Sequence, residues 1–549
     1  MKRYVVGCDF GTLSMRAVLV DATDGRVLAE DVYAYRNGVI TDCLPDSSVR
    51  LEGSDWALQD PDDYLNALKQ CVPAVLERGG VQPEEVAGLG VDFTICTLVP
   101  VDAKGDALCV NPAYRGRPHA WVKLWKNHTA QKEADDITDY VKANGLDLLD
   151  YSGHRVSSEA FFPKVWEIYR KDRVSYDGAY TFLDGGDFIV SKLCGKIARS
   201  GVMAAARAFH DNETMQYPDR AFFRGLEPGL ENIVSEKHLV NVLRVGSPAG
   251  TIVPEMAELL GLSTDTVVCV AHADAAVALP GCGIVAPNVM AFIMGTSACY
   301  IMMAKEKRNI PGISASYYEG VLPGYYCYEA GQSAVGDIFE WFCKHYLPAA
   351  YMEEAMRRGI SPMALMDEKA NELSVGQSGL VALDWMNGNR CILQDASLSG
   401  LIVGLTLHTK PEEIYRALLE AVSFGAKVIM DRFREYGIDV KEAIACGGLA
   451  DKSAVLMQMY ADVLSIPIQV AAYQHTSALA SAVFAAVAAG VYDSYETAVG
   501  KMIPKPARRY VPNPDHAAAY DKLFRIYKEL HDYFGGAGSG LMKELKVDQ

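Results

Sequence analysis

Two stretches of the chain repeat one pattern, in which an apolar strand, a Gly-Thr turn and a second apolar strand follow one another. The first covers residues 4–20 with its turn at Gly11 and Thr12, and the second covers residues 289–303 with its turn at residues 295–297. Their apolar residues favour β-strands. One such hairpin opens each half of a chain of 549 residues, which is too long for a single core. We therefore predict an internally duplicated α/β fold, with a cleft between the halves and a boundary near residues 286–288.

The turn of the first hairpin carries groups that suit a phosphate. Gly11 lets a ligand approach the backbone because it has no Cβ, and Thr12 and Ser14 can donate hydrogen bonds. Asp9 would repel an anion unless a cation such as Mg²⁺ lies between its carboxylate and the phosphates. An ordinary hairpin with a polar turn is an equal alternative on this stretch alone.

Three other positions are candidates for a site. Asp274 follows an apolar strand predicted at residues 266–271, and burying a carboxylate in such a run is costly unless it has a function or a partner. Cys96 follows a buried strand predicted at residues 86–92, and α/β proteins bind ligands past the carboxyl ends of their strands. Residues 119–136 predict a helix with Trp121 and Trp125 on one face. Such a pair is usually part of a core, although Trp125 could cover a sugar face.

Gly447 and Gly448 lie between a strand predicted at residues 443–446 and a helix predicted at residues 454–464. Small residues there would admit a flat base, and a helix N-terminus suits anions, so this pattern predicts a nucleotide-binding segment. A tight turn between strand and helix is the alternative. The chain contains no GxxxxGK[ST] motif, so an ATP-dependent enzyme with this sequence is not a P-loop protein.

Charge and cysteine usage narrow the class of protein. A formal net charge of −17 argues against a nucleic-acid-binding protein and against adhesion to an anionic membrane. The 13 cysteines show no CxxC pair, which indicates reduced thiols and a cytoplasmic location. Neither a signal peptide nor a membrane span is expected from the apolar stretches.

Longer motifs are similar to those of one family. The chain resembles the FGGY carbohydrate kinases nearly end to end, and within them the members that act on ribulose. The motifs that carry this resemblance are CDFGT from Cys8, HAWVKLWKNHTAQ from His119, MGTS from Met294, YEAGQS from Tyr328, DWMNGNR from Asp384, TKPEEIYRALLEA from Thr409 and ACGG from Ala445.

The resemblance implies two actin-like ATPase domains of the ribonuclease-H-like type, an N-terminal one at residues 1–286 and a C-terminal one at residues 287–549, with sugar and ATP meeting in the cleft. It also implies transfer of the γ-phosphate of MgATP to the terminal 5-hydroxyl of a ketopentose. L-Ribulose, in arabinose catabolism, is the leading substrate. The alternative substrates are D-ribulose, xylulose and a tetrulose. The alternative functions are a sugar-binding regulator without turnover and an actin- or chaperone-like ATPase. The oligomeric state is left open, and a homodimer is one option.

The same resemblance assigns roles by position. Asp274 would be the catalytic base and would also contact the sugar, and Asp9 would hold Mg²⁺. The phosphates would be bound by Gly11, Thr12, Gly295, Thr296 and Ser297, and the adenosine by Gly447, Gly448 and Ala450. The other sugar contacts would be Cys96, Trp125, Arg207 and Glu329.

The sugar side departs from the family pattern. Members that act on ribulose have a Gly-Tyr-Lys run and a tryptophan in the tract that here covers residues 204–210, and Ala206 replaces the lysine. Arg207 is the adjacent cation. Cys96 replaces a usual alanine, Phe188 a usual tryptophan, and residues 449–453 also differ. The resemblance therefore specifies the phosphoryl-transfer chemistry more closely than it specifies the ketose.

Overall fold

A computed structural model describes residues 3–151, 155–238, 242–536 and 540–545 of the chain. The chain divides into two compact units, and each is formed by several segments. The first unit comprises Met1–Val285, Ser316–Cys327 and His475–Pro504, and the second comprises Ala286–Ala315, Tyr328–Gln474 and Lys505–Gln549. The division into domains at residues 1–286 and 287–549 stays a prediction.

The described strands are, in chain order, β1 (Tyr4–Phe10), β2 (Ser14–Asp21), β3 (Val27–Ala34), β4 (Leu58–Gln59), β5 (Val86–Phe93), β6 (Leu98–Val101), β7 (Val122–Lys123), β8 (Thr181–Asp184), β9 (Arg199–Ser200), β10 (Val242–Leu243), β11 (Pro248–Thr251), β12 (Val267–Cys269), β13 (His272–Ala273), β14 (Val289–Met294), β15 (Ala298–Ala304), β16 (Ala315–Tyr318), β17 (Tyr326–Gln332), β18 (Val381–Leu383), β19 (Leu401–Val403), β20 (Glu442–Cys446), β21 (Ile468–Val470) and β22 (Arg508–Tyr510).

The described α-helices are α1 (Pro61–Gly79), α2 (Gln131–Ala143), α3 (Phe161–Lys171), α4 (Arg173–Gly178), α5 (Gly185–Cys194), α6 (Gly201–Arg207), α7 (Arg220–Leu226), α8 (Pro254–Leu260), α9 (Asp274–Gly281), α10 (Gly336–His345), α11 (Ala349–Arg358), α12 (Pro362–Asn371), α13 (Pro411–Glu435), α14 (Gly448–Lys452), α15 (Ala454–Leu464), α16 (Thr476–Ala488), α17 (Tyr495–Met502), α18 (Pro514–Gly535) and α19 (Leu541–Glu544). None of them is long and apolar enough to cross a membrane.

The main sheet of the first unit is built around the opening hairpin. Its strand order is β11-β12-β5-β1-β2-β3, and β13 also pairs with β5. The tight turns join β1, β2 and β3 antiparallel, whereas β5 runs parallel to both β1 and β12. A smaller sheet of the same unit has the order β4-β7-β6-β8.

The main sheet of the second unit repeats this plan. Its order includes β17-β15-β14-β20-β21-β22. The hairpin β14–β15 is antiparallel, β14 runs parallel to β20, β20 runs parallel to β21, and β22 closes the edge antiparallel. The predicted duplication of an α/β fold is therefore confirmed, since in both units an antiparallel hairpin is extended by two parallel strands.

Helix α16 packs against the central strands of the first unit, although it lies near the end of the chain. Glycines on these strands make the close approach possible. A Cβ added at Gly7 would lie 1.9 Å from the carbonyl oxygen of Ala478, and one added at Gly90 would lie 1.9 Å from that of Ser481. The alanine-rich helix α16 thus packs closely because both surfaces lack bulk.

The helix predicted at residues 119–136 is wrong over residues 119–130 and confirmed only over residues 131–136. The structure has a short 3₁₀ turn at Pro118–Ala120 and then β7, and α2 begins only at Gln131. Lys123 pairs with Leu58 and Leu98 in the smaller sheet. The backbone hydrogen bonds of these buried strands outweigh the helical spacing of the two tryptophans.

Candidate active site

The turn between β1 and β2 is held by hydrogen bonds to its backbone and to Thr12. The Gly11 N–H donates to the Ser14 carbonyl at 3.0 Å, and Gln59 Nε2 donates to the Thr12 carbonyl at 2.8 Å. Trp125 Nε1 donates to Thr12 Oγ1 at 3.0 Å. Thus Trp125 and Thr12, predicted for the sugar and the phosphates respectively, are direct neighbours in the first unit.

Three carboxyl groups are close to one another at the ends of β1 and β5 and the start of α9. Asp9 lies opposite Asp92 in the parallel ladder, and Arg16 Nη1 donates to Asp9 Oδ2 at 3.2 Å. Asp92 is fully buried, and Ser481 Oγ of α16 donates to its Oδ2 at 2.6 Å. Burial, and then repulsion from Asp9 and Asp274, raise the pKa of Asp92 well above its ordinary value. Burial and the neighbouring carboxyl groups therefore both favour the protonated form of its side chain.

The sequence analysis did not select Asp92. The available signal was an acid at the carboxyl end of an otherwise apolar strand, since β5 is fully buried and reads VAGLGVDF. This is the same signal that selected Asp274.

Asp274 is the first residue of α9. The Ala275 N–H contacts Asp274 Oδ1 at 2.8 Å, and Ser477 Oγ of α16 donates to the Asp274 carbonyl at 3.0 Å. The positive end of the helix dipole favours the charged form of a carboxylate at this position. Asp274 is half-buried and close enough to Asp92 to raise its pKa, and a half-buried carboxylate of this kind is a candidate base.

Cys96 and Trp125 are connected through a lysine that the sequence analysis also missed. Lys164 on α3 is fully buried, and its Nζ donates to the carbonyls of Cys96 at 2.7 Å and Leu124 at 2.8 Å. Burial lowers the pKa of Lys164 to about 8. Cys96 has a φ of 65°, a left-handed conformation that is strained for a residue with a Cβ. Lys164 therefore stabilises an unusual backbone at a predicted sugar contact.

The tract at residues 204–210 includes the end of α6. Ala206 is buried, and Arg207 Nη1 donates to the Ala206 carbonyl at 2.9 Å. Burial raises the pKa of the Cys96 thiol, and the charge of Arg207 opposes that rise, so the guanidinium group is near Cys96. Arg207 is thus the cation of this tract that faces a predicted sugar contact.

The second hairpin turn, in the second unit, accepts hydrogen bonds from the backbone at the start of α10. The Val335 N–H donates to the Thr296 carbonyl at 2.7 Å, and the Gly336 N–H donates to the Gly295 carbonyl at 3.1 Å. The Gly295 N–H donates to the Ser297 carbonyl at 2.9 Å. A Cβ at Gly295 would meet nothing within 4 Å, so open space lies beside this turn.

The Gly447–Gly448 segment of the second unit contacts the same hairpin. Gly447 has a φ of 95°, and a Cβ there would lie 2.4 Å from the Met294 carbonyl oxygen, so only glycine fits. Gly448 begins α14, and a Cβ there would meet nothing within 4 Å. Ala450 is fully buried in α14. The structure thus brings together the residues predicted for phosphate and adenosine in this unit.

Glu329 is half-buried on β17 of the second unit. Cys299 Sγ lies 3.9 Å from Glu329 Oε1, and the Ser314 N–H donates to the Glu329 carbonyl at 2.8 Å. The carboxylate therefore has a thiol, a weak hydrogen-bond donor, beside it.

Asp9 supplies the kind of ligand that Mg²⁺ prefers. Mg²⁺ is usually held by one or two carboxylates together with water and substrate phosphates. Arg16 Nη1 donates to Oδ2 of Asp9, and the raised pKa of the neighbouring Asp92 disfavours a second negative charge there. Among the described residues no group of three or more His, Cys, Asp or Glu could hold a metal ion. The donor set fits a metal bound jointly with phosphates and does not fit a closed protein cage.

Comparisons with known proteins give the same family for both halves of the chain. The model of the FGGY family of carbohydrate kinases, N-terminal domain, matches residues 4–281, and that of the C-terminal domain matches residues 290–489. A protein named Ribulokinase from Shouchella clausii is 46% identical over 551 residues, covering 100% of this chain and 98% of the relative. One of the same name from Halalkalibacterium halodurans is 45% identical, covering 99% and 97%.

Solved structures support the fold. A gluconate kinase from Lactobacillus acidophilus superposes with a TM-score of 0.81 at 20% identity, covering 97% of this chain and 98% of that chain. At this identity the likeness concerns the fold alone. It agrees with the duplicated sheets described above, which have the arrangement of a two-domain actin-like ATPase.

Proposed function

Since the chain belongs to the FGGY family of carbohydrate kinases, we propose that it transfers the γ-phosphate of ATP to the terminal 5-hydroxyl of a ketopentose, with L-ribulose as the leading substrate. The observation that carries the proposal is the carboxyl cluster of Asp9, Asp92 and Asp274 in the first unit. Full-length relatives named Ribulokinase support the choice of ribulose. Arabinose catabolism in the cytoplasm is the setting that we propose.

Asp274 is the base in this mechanism. Its carboxylate accepts the proton of the sugar hydroxyl as that oxygen attacks the γ-phosphate. The helix N-terminus at Asp274 favours the charged form that a base requires. Ser477 fixes the backbone of Asp274 through its carbonyl.

Phosphoryl transfer depends mainly on alignment and on charge stabilisation. The phosphates are bound by the turn that carries Gly11 and Thr12 and by the turn at residues 295–297, and the adenosine by Gly447, Gly448 and Ala450. Asp9 holds Mg²⁺, which neutralises phosphate charge when bound.

The sugar is bound in this proposal by Cys96, Trp125, Arg207 and Glu329 together with Asp274. Arg207, near Cys96, supplies the cation that the buried Ala206 does not. Because this tract differs from the family pattern, D-ribulose, xylulose and a tetrulose are alternative substrates. A sugar-binding regulator without turnover is the second candidate, and the altered tract is the observation that favours it.

An ADP-release assay with L-ribulose, D-ribulose, the xyluloses and the tetruloses tests the function. We expect L-ribulose to give the highest kcat/KM in the presence of ATP and Mg²⁺. A lack of stimulation by every ketose, while calorimetry still detects sugar binding, would favour the regulator. A rate of ATP hydrolysis that no sugar changes would instead indicate an actin- or chaperone-like ATPase.

The Asp274→Asn variant tests the role of the base. We expect kcat to fall by about 10²–10⁴, the usual contribution of a positioned base, with thermal stability close to that of the wild type. Turnover equal to that of the wild type would remove Asp274 from this role.

A further inference from the structure

A short segment from the second half of the chain forms part of the first unit. We call residues 316–327 the strap, and it belongs to the first unit by its packing. The Glu319 N–H donates to the Tyr325 carbonyl at 2.7 Å, and the Gly324 N–H contacts Glu319 Oε1 at 3.3 Å. These bonds close the turn between β16 and β17, whose facing ends also belong to the strap.

Asn212 connects the strap by hydrogen bonds to the residues around the tract at 204–210. Its buried side chain donates from Nδ2 to the carbonyl of Gly201, at the start of α6, at 3.0 Å. The same nitrogen donates to the carbonyl of Tyr318 in the strap at 2.9 Å. Its Oδ1 lies 2.7 Å from His210 Nδ1 and therefore accepts a hydrogen bond from that ring. One side chain thus joins the start of α6 and His210, the last residue of the tract, to the strap.

Two further side-chain contacts reach the strap from the same part of the first unit. Tyr326, buried at the end of the strap, donates from its hydroxyl to Glu213 Oε1 at 2.5 Å. Arg244 Nη1 donates to Glu319 Oε2 at 2.8 Å. Glu319 is buried and Arg244 is half-exposed, so this charge-assisted hydrogen bond lies at the surface of the first unit.

The strap also contacts the strand that leads to Asp274. His272 Nε2 lies 3.1 Å from the carbonyl oxygen of Val321, and both residues are buried. His272 begins β13, and Asp274 follows β13 directly. The strap therefore links the tract at 204–210 with the backbone that positions the proposed base.

We propose that Asn212 and Tyr326 are positioning residues for the sugar substrate, because they fix the strap to the residues that flank the tract at 204–210. The described side-chain hydrogen bonds of Asn212 and Tyr326 lie in the strap and around the tract at 204–210, so we expect their loss to weaken ketose binding more than ATP binding. The inference rests on the proposed function.

Steady-state kinetics of the full chain test this proposal. For Asn212→Ala we expect the KM for the ketose to rise about 10- to 100-fold, and for Tyr326→Phe about threefold to tenfold. The KM for ATP should stay within about twofold of the wild type in both. A merely structural role predicts a loss of folded enzyme with unchanged KM values, which active-site titration and thermal melting would reveal.

Asn144→Ala is the matched control. Asn144 is exposed, and its Nδ2 donates to the Tyr140 carbonyl at 2.8 Å, so the variant also removes one amide-to-carbonyl bond. We expect its kinetics to equal those of the wild type. If Asn212→Ala does not fold, Tyr326→Phe, which loses only one hydroxyl, decides the question.

The outcomes separate this inference from the proposed function. A wild-type protein that phosphorylates no ketose would contradict the proposed function. A wild-type ketose kinase whose Tyr326→Phe and Asn212→Ala variants keep the ketose KM, or raise both KM values equally, would contradict the role of the strap alone.

Discussion

At the scale of the residue, two buried groups distinguish the first unit, and both support neighbours that are candidates for substrate binding or catalysis. Asp92 is a carboxyl group beside Asp9 whose pKa is raised by burial. Lys164 is an ammonium group whose two hydrogen bonds go to backbone carbonyls. Burying an ionisable group is costly unless it has a partner or a function. Here Asp92 lies beside Asp9, and Lys164 is hydrogen-bonded to Cys96, and both neighbours are predicted site residues.

Lys164→Met tests the role of that lysine. The variant keeps the length of the side chain but leaves the carbonyls of Cys96 and Leu124 without their donor. Hydrogen bonds to charged groups contribute about 1.5–3 kcal/mol each, so we expect the KM for the ketose to rise at least about tenfold. Lys132→Met is the control, since Lys132 is exposed on α2 and pairs only with Asp136. An unchanged ketose KM in folded Lys164→Met would show that the site does not depend on Lys164.

At the scale of the element, α16 contributes both to the core of the first unit and to the hydrogen bonds of its clustered carboxyl groups. Its residues Ala478, Ser481 and Ala485 lie against glycines of β1 and β5. The same helix donates from Ser481 to Asp92 and from Ser477 to the carbonyl of Asp274. A displacement of α16 would therefore disturb both the core of the first unit and two of its three clustered carboxyl groups.

Gly90→Ala tests this dependence on close approach. The added Cβ would lie 1.9 Å from the backbone oxygen of Ser481, so α16 must move. Overpacking costs typically about 1–3 kcal/mol, and we expect a loss of unfolding free energy at the upper end of that range together with reduced turnover. Gly116→Ala is the control, because a Cβ there meets nothing within 4 Å. Denaturant unfolding followed by circular dichroism measures both, and equal stability of the two variants would contradict the packing argument.

At the scale of the whole molecule, chain order and structural units do not coincide. The first unit takes residues 316–327 and 475–504 from the second half of the chain. The strap and α16 belong to these segments. The first unit is therefore complete only when most of the chain has been made.

A fragment of residues 1–286 tests this conclusion. Without α16 the glycine-lined face of its main sheet is uncovered, and we expect no cooperative unfolding transition and strong binding of a hydrophobic dye. Supplying residues 475–504 through a flexible linker should restore part of the cooperativity. A fragment of residues 1–286 that unfolds cooperatively alone would contradict this expectation and would support the division predicted from the sequence.

The sequence by itself determined the features that depend on neighbours in the chain. The two hairpins with their Gly-Thr turns, the α/β class, the acid at Asp274 and the Gly447–Gly448 segment were predictable, because strand propensity, turn chemistry and short motifs are local. The family motifs added roles to these positions, and those roles stay predictions.

Only the tertiary structure decided which distant segments meet. It placed α16 on the first sheet, turned residues 122–123 into a strand, and showed Asp92 and Lys164 beside predicted site residues. These features arise from contacts between residues far apart in the chain, and buried backbone and polar groups must find partners there whatever their local preference. For that reason the first hairpin was predictable from 17 neighbouring residues (4–20), whereas the groups that support it were not.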